Sequence, residues 1–346
     1  MNYIFVFLGE FGYELLNWQG VIRKFVTTIN KDKDKVIICS RTGLEPFYEF
    51  ADEYIDISKL MYFKNSAANM YWAHNPDCNI YKRNKETLEN GLDWELMSKK
   101  DLKYQNKMKK EIKQFILKQF KVNLFQRPFI FKNYKFIFSS DYQKINGLFF
   151  GTKSMGEPKI YADLDLNNNN FVKIEPCKKN KKNIEVKLGF SLADEYILCQ
   201  TGSRNVVQRS KEHVEYKILK TLSKKAKIVL LNFDTKRKLD SKSLFPEIEN
   251  CCIYNCNSFE EQSVLIANAF ACVFFTEGDF RSHNYLPPFM GKNVYSIAPK
   301  TVFELGTTPI DFWNKNVFKF GGQIIPVVHE EIDKFTDLLV KGKIDV

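Results

Sequence analysis

Short apolar runs alternate with amphipathic segments along the chain, and the whole alternation occurs twice. In the first pass Tyr3 to Leu8, Lys35 to Ser40 and Tyr54 to Ile57 have strand character. Between them, Tyr13 to Thr28 places Leu15, Leu16, Val21, Ile22 and Phe25 on one stripe, which predicts a helix facing a sheet, and Glu45 to Ala51 a shorter one. In the second pass Glu195 to Gln200, Lys227 to Phe233, Cys251 to Tyr254, Ala271 to Thr276 and Asn293 to Ile297 are predicted strands. Lys211 to Ser223 and Phe259 to Phe270 are predicted helices among them. Strands that alternate with helices pair in parallel, because each crossover returns the chain to the same sheet edge.

A chain of 346 residues with 44% hydrophobic content can fill two cores of that kind. The expected fold class is therefore α/β, with two Rossmann-like domains facing a central cleft. The expected boundaries are 1–184, 185–325 and a closing helix in 326–346, centred on Glu330 to Leu339. The tract Lys178 to Lys182 reads as a solvated linker, and Asn167 to Asn170 as a loop. Residues 58–98 lack clear periodicity and read as loops and short helices over the cleft. In such folds ligands sit beyond the carboxyl ends of the strands, so the residues of interest follow strands directly.

Several classes are disfavoured. No apolar stretch approaches the roughly 18 residues that span a bilayer, and the start has neither a basic n-region nor a small-residue cleavage site. Cys39, Cys199 and Cys272 lie inside apolar runs, where a thiol acts as a small hydrophobe, and a cytoplasmic location is expected. Neither the cluster Cys251, Cys252 and Cys256 nor the scattered histidines have zinc-ligand spacing, so no metal is expected. Asp163-Leu164-Asp165 has the form of a metal-binding acidic pair, but it precedes the Asn tract with no accompanying ligands.

The formal charge of +11 is concentrated. Between Lys99 and Lys144 there are thirteen Lys and Arg against three acids. Residues 101–121 within it form a predicted basic amphipathic helix, with Met108, Ile112, Phe115, Ile116 and Phe120 on the apolar side. Such a patch attracts phosphate on nucleic acid, on an anionic membrane surface or on a substrate, or it simply solvates a helix face.

Four loops after strands carry candidate chemistry. Gly9-Glu10-Phe11-Gly12 makes a tight turn that presents Glu10 as a base, although the glycines can equally serve the turn alone, and the spacing is not that of a dinucleotide fingerprint. Gly202, Ser203 and Arg204, with Arg209 beyond, combine backbone donors with planar guanidinium groups suited to a diphosphate. Thr276, Glu277, Gly278 and Asp279, followed by Ser282, His283 and Asn284, place a glycine and acceptors between a strand and a helix start, where capping is the alternative role. Asn232 ends a strand and can flank a base or ribose, or form a plain turn.

This pattern resembles the metal-independent two-Rossmann (GT-B) glycosyltransferases, most nearly the heptosyltransferase-like enzymes of bacterial surface polysaccharide (lipopolysaccharide or capsule) synthesis. The resemblance rests on the strand leading into Gly9-Glu10, where that family carries a Gly-Asp pair. It rests also on the series from Phe259-Glu260-Glu261-Gln262 through Ala267 to Ala271 into the Thr276 to Asn284 loop. It implies a first domain on the acceptor side, with Glu10 as catalytic base and Gly9, Phe11, Gly12, Arg41, Trp72 and His74 beside it. It implies a second domain that binds a nucleotide-sugar donor through Gly202, Ser203, Arg204, Arg209, Asn232 and the Thr276 to Asn284 loop. No cofactor is implied, the acceptor is a glycan or lipid-linked, and the Lys99 to Lys144 patch becomes a contact for the inner membrane. Glu10 stands where the family has Asp, and Glu277-Gly278-Asp279 departs from its signature, so the donor sugar is not carried over. Two other classes remain open: a nucleic-acid-binding or nucleic-acid-glycosylating protein using the basic patch, and a nucleotide-sugar epimerase of the same fold.

Overall fold

A computed structural model describes residues 1–8, 11–58, 60, 99–120, 133–139, 141, 143–150, 166–177, 180–201, 213–232, 248–256, 258–276, 282–304 and 310–340. The chain forms two compact units, Met1–Phe171 and Val172–Val346.

The first unit is built on four parallel strands: β1 (Asn2–Val6), β2 (Lys35–Ser40), β3 (Glu53–Asp56) and β4 (Tyr134–Phe138), in the order β3-β2-β1-β4. Central β1 pairs on both sides, with Val6 opposite Cys39 of β2 and Phe138 of β4. After β1 a helical turn (Phe11–Tyr13) passes into a π-helical segment (Glu14–Trp18) and then into α1 (Gln19–Val26). The stripe expected from the sequence is buried: Leu15, Leu16, Val21, Ile22 and Phe25 have no exposed surface. Helix α2 (Lys99–Gln119) precedes β4, and the small hairpin β5 (Gln143–Ile145)–β6 (Leu148–Phe150) follows it. The hairpin turns at Asn146 and Gly147, both at positive φ (49° and 84°), the pattern that lets a two-residue loop match the strand twist. It delivers Phe150 into the core beside Phe5, Trp18 and Phe25, with ring centroids 5.5, 6.0 and 5.7 Å away. Strands of three residues are too short to show a period, so only the Asn146-Gly147 pair marks this turn in the sequence.

The division between the units falls earlier than residue 185. The amide of Asn170 donates to the Gly20 carbonyl at 2.8 Å, and a side chain on Gly20 would place its Cβ 2.6 Å from the Phe171 ring, so this segment lies directly on α1. Three residues later the Ile174 amide donates to the Phe289 carbonyl of the second unit. The tract read as a linker leads into α3 (Lys181–Leu188), which ends on Gly189 in the left-handed conformation. Its Ile184 and Leu188 are buried, and Lys187 is ion-paired with Glu261, so the helix belongs to the second unit.

That unit carries six parallel strands: β7 (Tyr196–Gln200), β8 (Lys227–Asn232), β9 (Cys251–Asn255), β10 (Ala271–Phe275), β11 (Val294–Ala298) and β12 (Ile324–Val328). Helices α4 (Val214–Ser223), α5 (Phe259–Asn268), α6 (Ser282–Phe289), α7 (Lys300–Glu304), α8 (Ile310–Asn316) and α9 (Ile332–Val340) complete it. The order β9-β8-β7-β10-β11-β12 is that of a Rossmann sheet. Strand β12 was not anticipated because Pro326 breaks its pattern; it is an edge strand, where a residue without an N–H is tolerated. The closing helix is no separate element. Phe335 and Leu339 of α9 are buried in the same core as the strands, Phe335 lying 5.0 Å from the Tyr295 ring. Cys199 and Cys272 are buried free thiols in this core, and burial pushes Cys272 up to about 12, so they act as hydrophobes.

Candidate functional site

In the second sheet the strand order reverses between β7 and β10. There the two halves of a doubly wound sheet send their crossovers to opposite faces, which opens a crevice at the carboxyl edge. The residues at that edge break the apolar pattern of the strands. Gln200 closes β7 and Thr201 follows it, Asn232 closes β8, and Thr276 follows β10, all of them buried. Buried polar groups of this kind are retained when hydrogen bonds compensate their lost hydration.

The bonds show what some of them do. Asn284, in the first turn of α6, donates from its amide to Ser296 Oγ of β11 at 2.9 Å and to Thr276 Oγ1 at 3.3 Å. The Thr276 amide in turn donates to the Ile297 carbonyl at 2.8 Å. This ties residues on either side of 277–281 to the sheet edge. Asn232 donates to Asn255 Oδ1 at 2.6 Å and closes the ends of β8 and β9 together. Three predicted donor-side residues, Asn232, Thr276 and Asn284, are thus buried scaffold at the sheet edge. Helix α6 also contains Pro287 and Pro288. Their ring nitrogens cannot donate to the carbonyls of His283 and Asn284, four residues earlier.

Gly202, Ser203, Arg204, Arg209, Glu277, Gly278 and Asp279 lie outside the described residues, as do the side chains of Ser282 and His283. Among the described residues no three His, Cys, Asp or Glu side chains are grouped as metal ligands.

In the first unit the chain leaving β1 is fastened to both neighbours. The Phe7 amide donates to the Cys39 carbonyl at 2.9 Å, and the Leu8 amide to Ser139 Oγ, just past β4, at 2.8 Å. The next residues are Gly9 and Glu10, outside the described residues together with Trp72 and His74. Immediately after Gly9 and Glu10, Phe11 packs on Phe47, with centroids 5.9 Å apart, and Phe11 and Gly12 belong to the helical turn ahead of the π segment.

The π-helical segment holds a cluster that the sequence reading missed. Glu14 is fully buried, and its Oε1 accepts from Ser40 Oγ at 2.5 Å and Tyr48 Oη at 2.7 Å. Its Oε2 lies 3.8 Å from Arg41 Nε. Arg41, one of the predicted acceptor-side residues, retains 16% side-chain exposure and stands over the Phe7 ring at 5.9 Å. Its carbonyl accepts from Tyr54 Oη at 2.5 Å. The signal available in the sequence was an acid immediately before Leu15 and Leu16; the extra residue of a π turn, which reorients a helix face, is not visible in a periodicity.

Burial pushes the Glu14 carboxyl above its ordinary value, against the opposing pull of Arg41, Ser40 and Tyr48. A carboxyl that holds its proton more tightly when folded gives the folded protein an advantage at low pH that is lost as pH rises. The window opens at the ordinary value of 4.5 and extends upward. Glu14→Gln removes the titration while keeping an acceptor for Ser40 and Tyr48. Above that value wild type will lose stability relative to Glu14→Gln as pH increases, measured by urea midpoints across a pH series. A constant difference would show that Glu14 titrates normally.

Each unit, then, is a parallel doubly wound sheet with polar residues gathered at its carboxyl edge. The chain is similar in structure to Escherichia coli ADP-heptose lipopolysaccharide heptosyltransferase II, at 9% identity and a TM-score of 0.49, covering 99% of this chain and 100% of that one. It is similar also to a glycosyltransferase family 9 protein of Veillonella parvula (9% identity, TM-score 0.49, 99% and 97% covered). A third similar structure is the Neisseria meningitidis UDP-GlcNAc 2-epimerase bound to UDP-GlcNAc (11% identity, TM-score 0.40, 99% and 92% covered). No family model matches the chain, and no curated protein matches it.

Proposed function

We propose that this protein is a metal-independent glycosyltransferase that moves a sugar from a nucleotide-sugar donor to a glycan or lipid-linked acceptor in surface polysaccharide synthesis. The observation that carries the reading is the reversal of strand order between β7 and β10, with Gly202-Ser203-Arg204 following the one strand in sequence and Glu277-Gly278-Asp279 the other. In this reading Arg204 and Arg209, with backbone amides near Gly202 and Gly278, hold the donor diphosphate and neutralise the charge that builds on it as the glycosidic bond breaks. The buried bonds of Asn284, Thr276 and Ser296 support this by fixing residues on either side of 277–281 before a ligand arrives. Glu10 takes the proton of the acceptor hydroxyl as that oxygen attacks the anomeric carbon. Arg41, held beside Glu14, belongs to the acceptor side.

Thermal melts with ADP, GDP, UDP and CDP test the donor side. At a hundredfold excess over its dissociation constant a ligand stabilises by about 2.7 kcal/mol, so one nucleoside diphosphate will raise the melting temperature by roughly 5–10 °C. The Arg204→Ala, Arg209→Ala double variant will lose most of that rise. If none of the four shifts the wild-type transition, the donor reading fails. Consumption of a sugar nucleotide with no acceptor present would assign the site to an epimerase instead.

A further inference from the structure

Two helices of the second unit begin on different kinds of cap. Helix α5 starts at Ser258, whose Oγ accepts from the Glu261 amide at 3.3 Å. Helix α4 starts at His213, whose backbone is extended and whose Nδ1 accepts from the Glu215 amide, also at 3.3 Å. Either acceptor satisfies one of the backbone N–H groups that the first turn of a helix leaves over. A hydroxyl accepts at any pH. An imidazole accepts only while neutral, because the protonated ring carries N–H on both nitrogens. The titratable groups at this corner come from two elements. Glu215, in the first turn of α4, is buried. The turn His329–Glu331, between β12 and α9, brings a second imidazole, His329, together with Glu330. Helices α4 and α9 share one core through Leu219, Leu222, Phe335 and Leu339. Burial holds His329 below its ordinary value of 6.5, and the His213 ring adds to this against the pull of Glu330 and Glu215.

We propose that His213 is a pH-gated positioning residue: as a neutral imidazole it caps α4 and fixes the point where the chain arriving from Gly202-Ser203-Arg204 and Arg209 rejoins the fold, and on acidification it releases that point. Three observations favour a gate over an ordinary cap. Protonation removes the acceptor and also sets a cation at the positive end of the helix dipole, so both consequences act in one direction. The neighbouring imidazole resists charge as well. Below 6.5 the unfolded chain takes up a proton that folded His329 takes less readily, so the stability contributed there is present at neutral pH and lost as pH falls. Finally, Arg209 lies only four residues before His213 in sequence, so the cap is the first fixed point after the candidate diphosphate ligands. The capping role stands on the geometry alone, while its consequence for donor binding rests on the proposed transferase reading.

Two measurements on the full chain separate these parts. Without ligand, the melting transition of the second unit is followed for wild type and His213→Asn across a series from acid to neutral pH. Asn is among the best capping residues and does not titrate. The variant will therefore match wild type on the neutral side, and wild type will fall below it by roughly 2–4 °C on the acid side, the effect of one lost cap on a unit of this size. The subtraction cancels groups unchanged in both chains, Glu14 among them. A difference that does not vary with pH overturns the proposal. With ligand, calorimetry gives the dissociation constant of whichever of ADP, GDP, UDP and CDP stabilises wild type most, at both ends of the series. Wild type will weaken about fivefold more on acidification than His213→Asn, the equilibrium equivalent of one cap. Comparison at the same pH cancels the ligand's own protonation. Equal weakening of the two chains overturns the positioning role. If no nucleoside diphosphate binds at either end, the donor reading fails and the positioning role with it, whereas the acid-sensitive cap is still decided by the melts without ligand.

Discussion

Replacing Glu10 by Gln will lower turnover by about two to four orders of magnitude, the contribution of a positioned general base, while leaving donor affinity near that of wild type. The two side chains have the same shape, so the loss isolates the proton that Gln cannot take. Position is the reason to expect the role of Glu10. The strand before it is fastened on one side by the Phe7 amide to Cys39 and on the other by the Leu8 amide to Ser139, so the residues immediately ahead of Gly9 are fixed at the sheet edge. Glu14, four residues on, is the control. Its carboxylate is enclosed by Ser40, Tyr48 and Arg41, out of reach of an acceptor hydroxyl. The measurement is kcat and KM for the sugar nucleotide identified by thermal melts, together with the pH profile of kcat/KM. Unaltered turnover in Glu10→Gln removes Glu10 as the base, and a loss confined to Glu14→Gln moves the role to the buried cluster.

The largest effect on stability is expected at Arg23, which fastens the 45–50 segment to α1. Its Nε donates to Gln19 Oε1 at 2.8 Å, Nη1 to Glu49 Oε1 at 2.6 Å, and Nη2 to Glu49 Oε2 and the Phe47 carbonyl, both at 2.7 Å. The guanidinium also lies over the Phe50 ring, 4.7 Å from its centroid. Glu49 is 58% exposed and returns to water once its partner goes, so the ion pair itself contributes little. The cost of Arg23→Ala comes from Gln19 Oε1 and the Phe47 carbonyl, which lose a donor in a buried setting at about 1–3 kcal/mol each, and from the lost stacking. Together these give about 3 kcal/mol, or roughly 6–12 °C for a unit of this size. Arg23→Lys will recover only part, since one ammonium cannot span three acceptors. Calorimetry resolves the first unit's transition; a shift under 2 °C would mean that the 45–50 segment is held by its aromatic contacts alone.

Strands β1 to β3 and β7 to β11 were legible in the sequence because parallel strands buried on two faces read as unbroken apolar runs, and α1 was legible from its stripe. What escaped did so for identifiable reasons. Strand β12 contains Pro326, which only an edge position accommodates. The hairpin β5–β6 has strands of three residues, too short to show a period, although Asn146-Gly147 announced its turn. Helix α3 hid in a tract whose lysines suggested solvent, when only Ile184 and Leu188 are needed to hold it down. At the candidate site the post-strand positions were readable, but the division of labour was not. Asn232, Thr276 and Asn284 have the composition of ligand-binding residues, and their amides and hydroxyl are engaged with one another and with Ser296 and Asn255. Composition reports which groups can bond and is silent on what they bond to.

The adjacent prolines of α6 carry a consequence for motion. With two rungs missing from its ladder, the beginning of this helix is joined to the remainder by fewer backbone bonds than an uninterrupted helix of eight residues would have. Its amides should therefore exchange with solvent through small openings rather than through unfolding of the sheet behind them. Asn284 supplies the opposing restraint, a side-chain anchor in place of the missing main-chain one. The two together make the rim of the second sheet adjustable at low free-energy cost while its attachment point stays fixed.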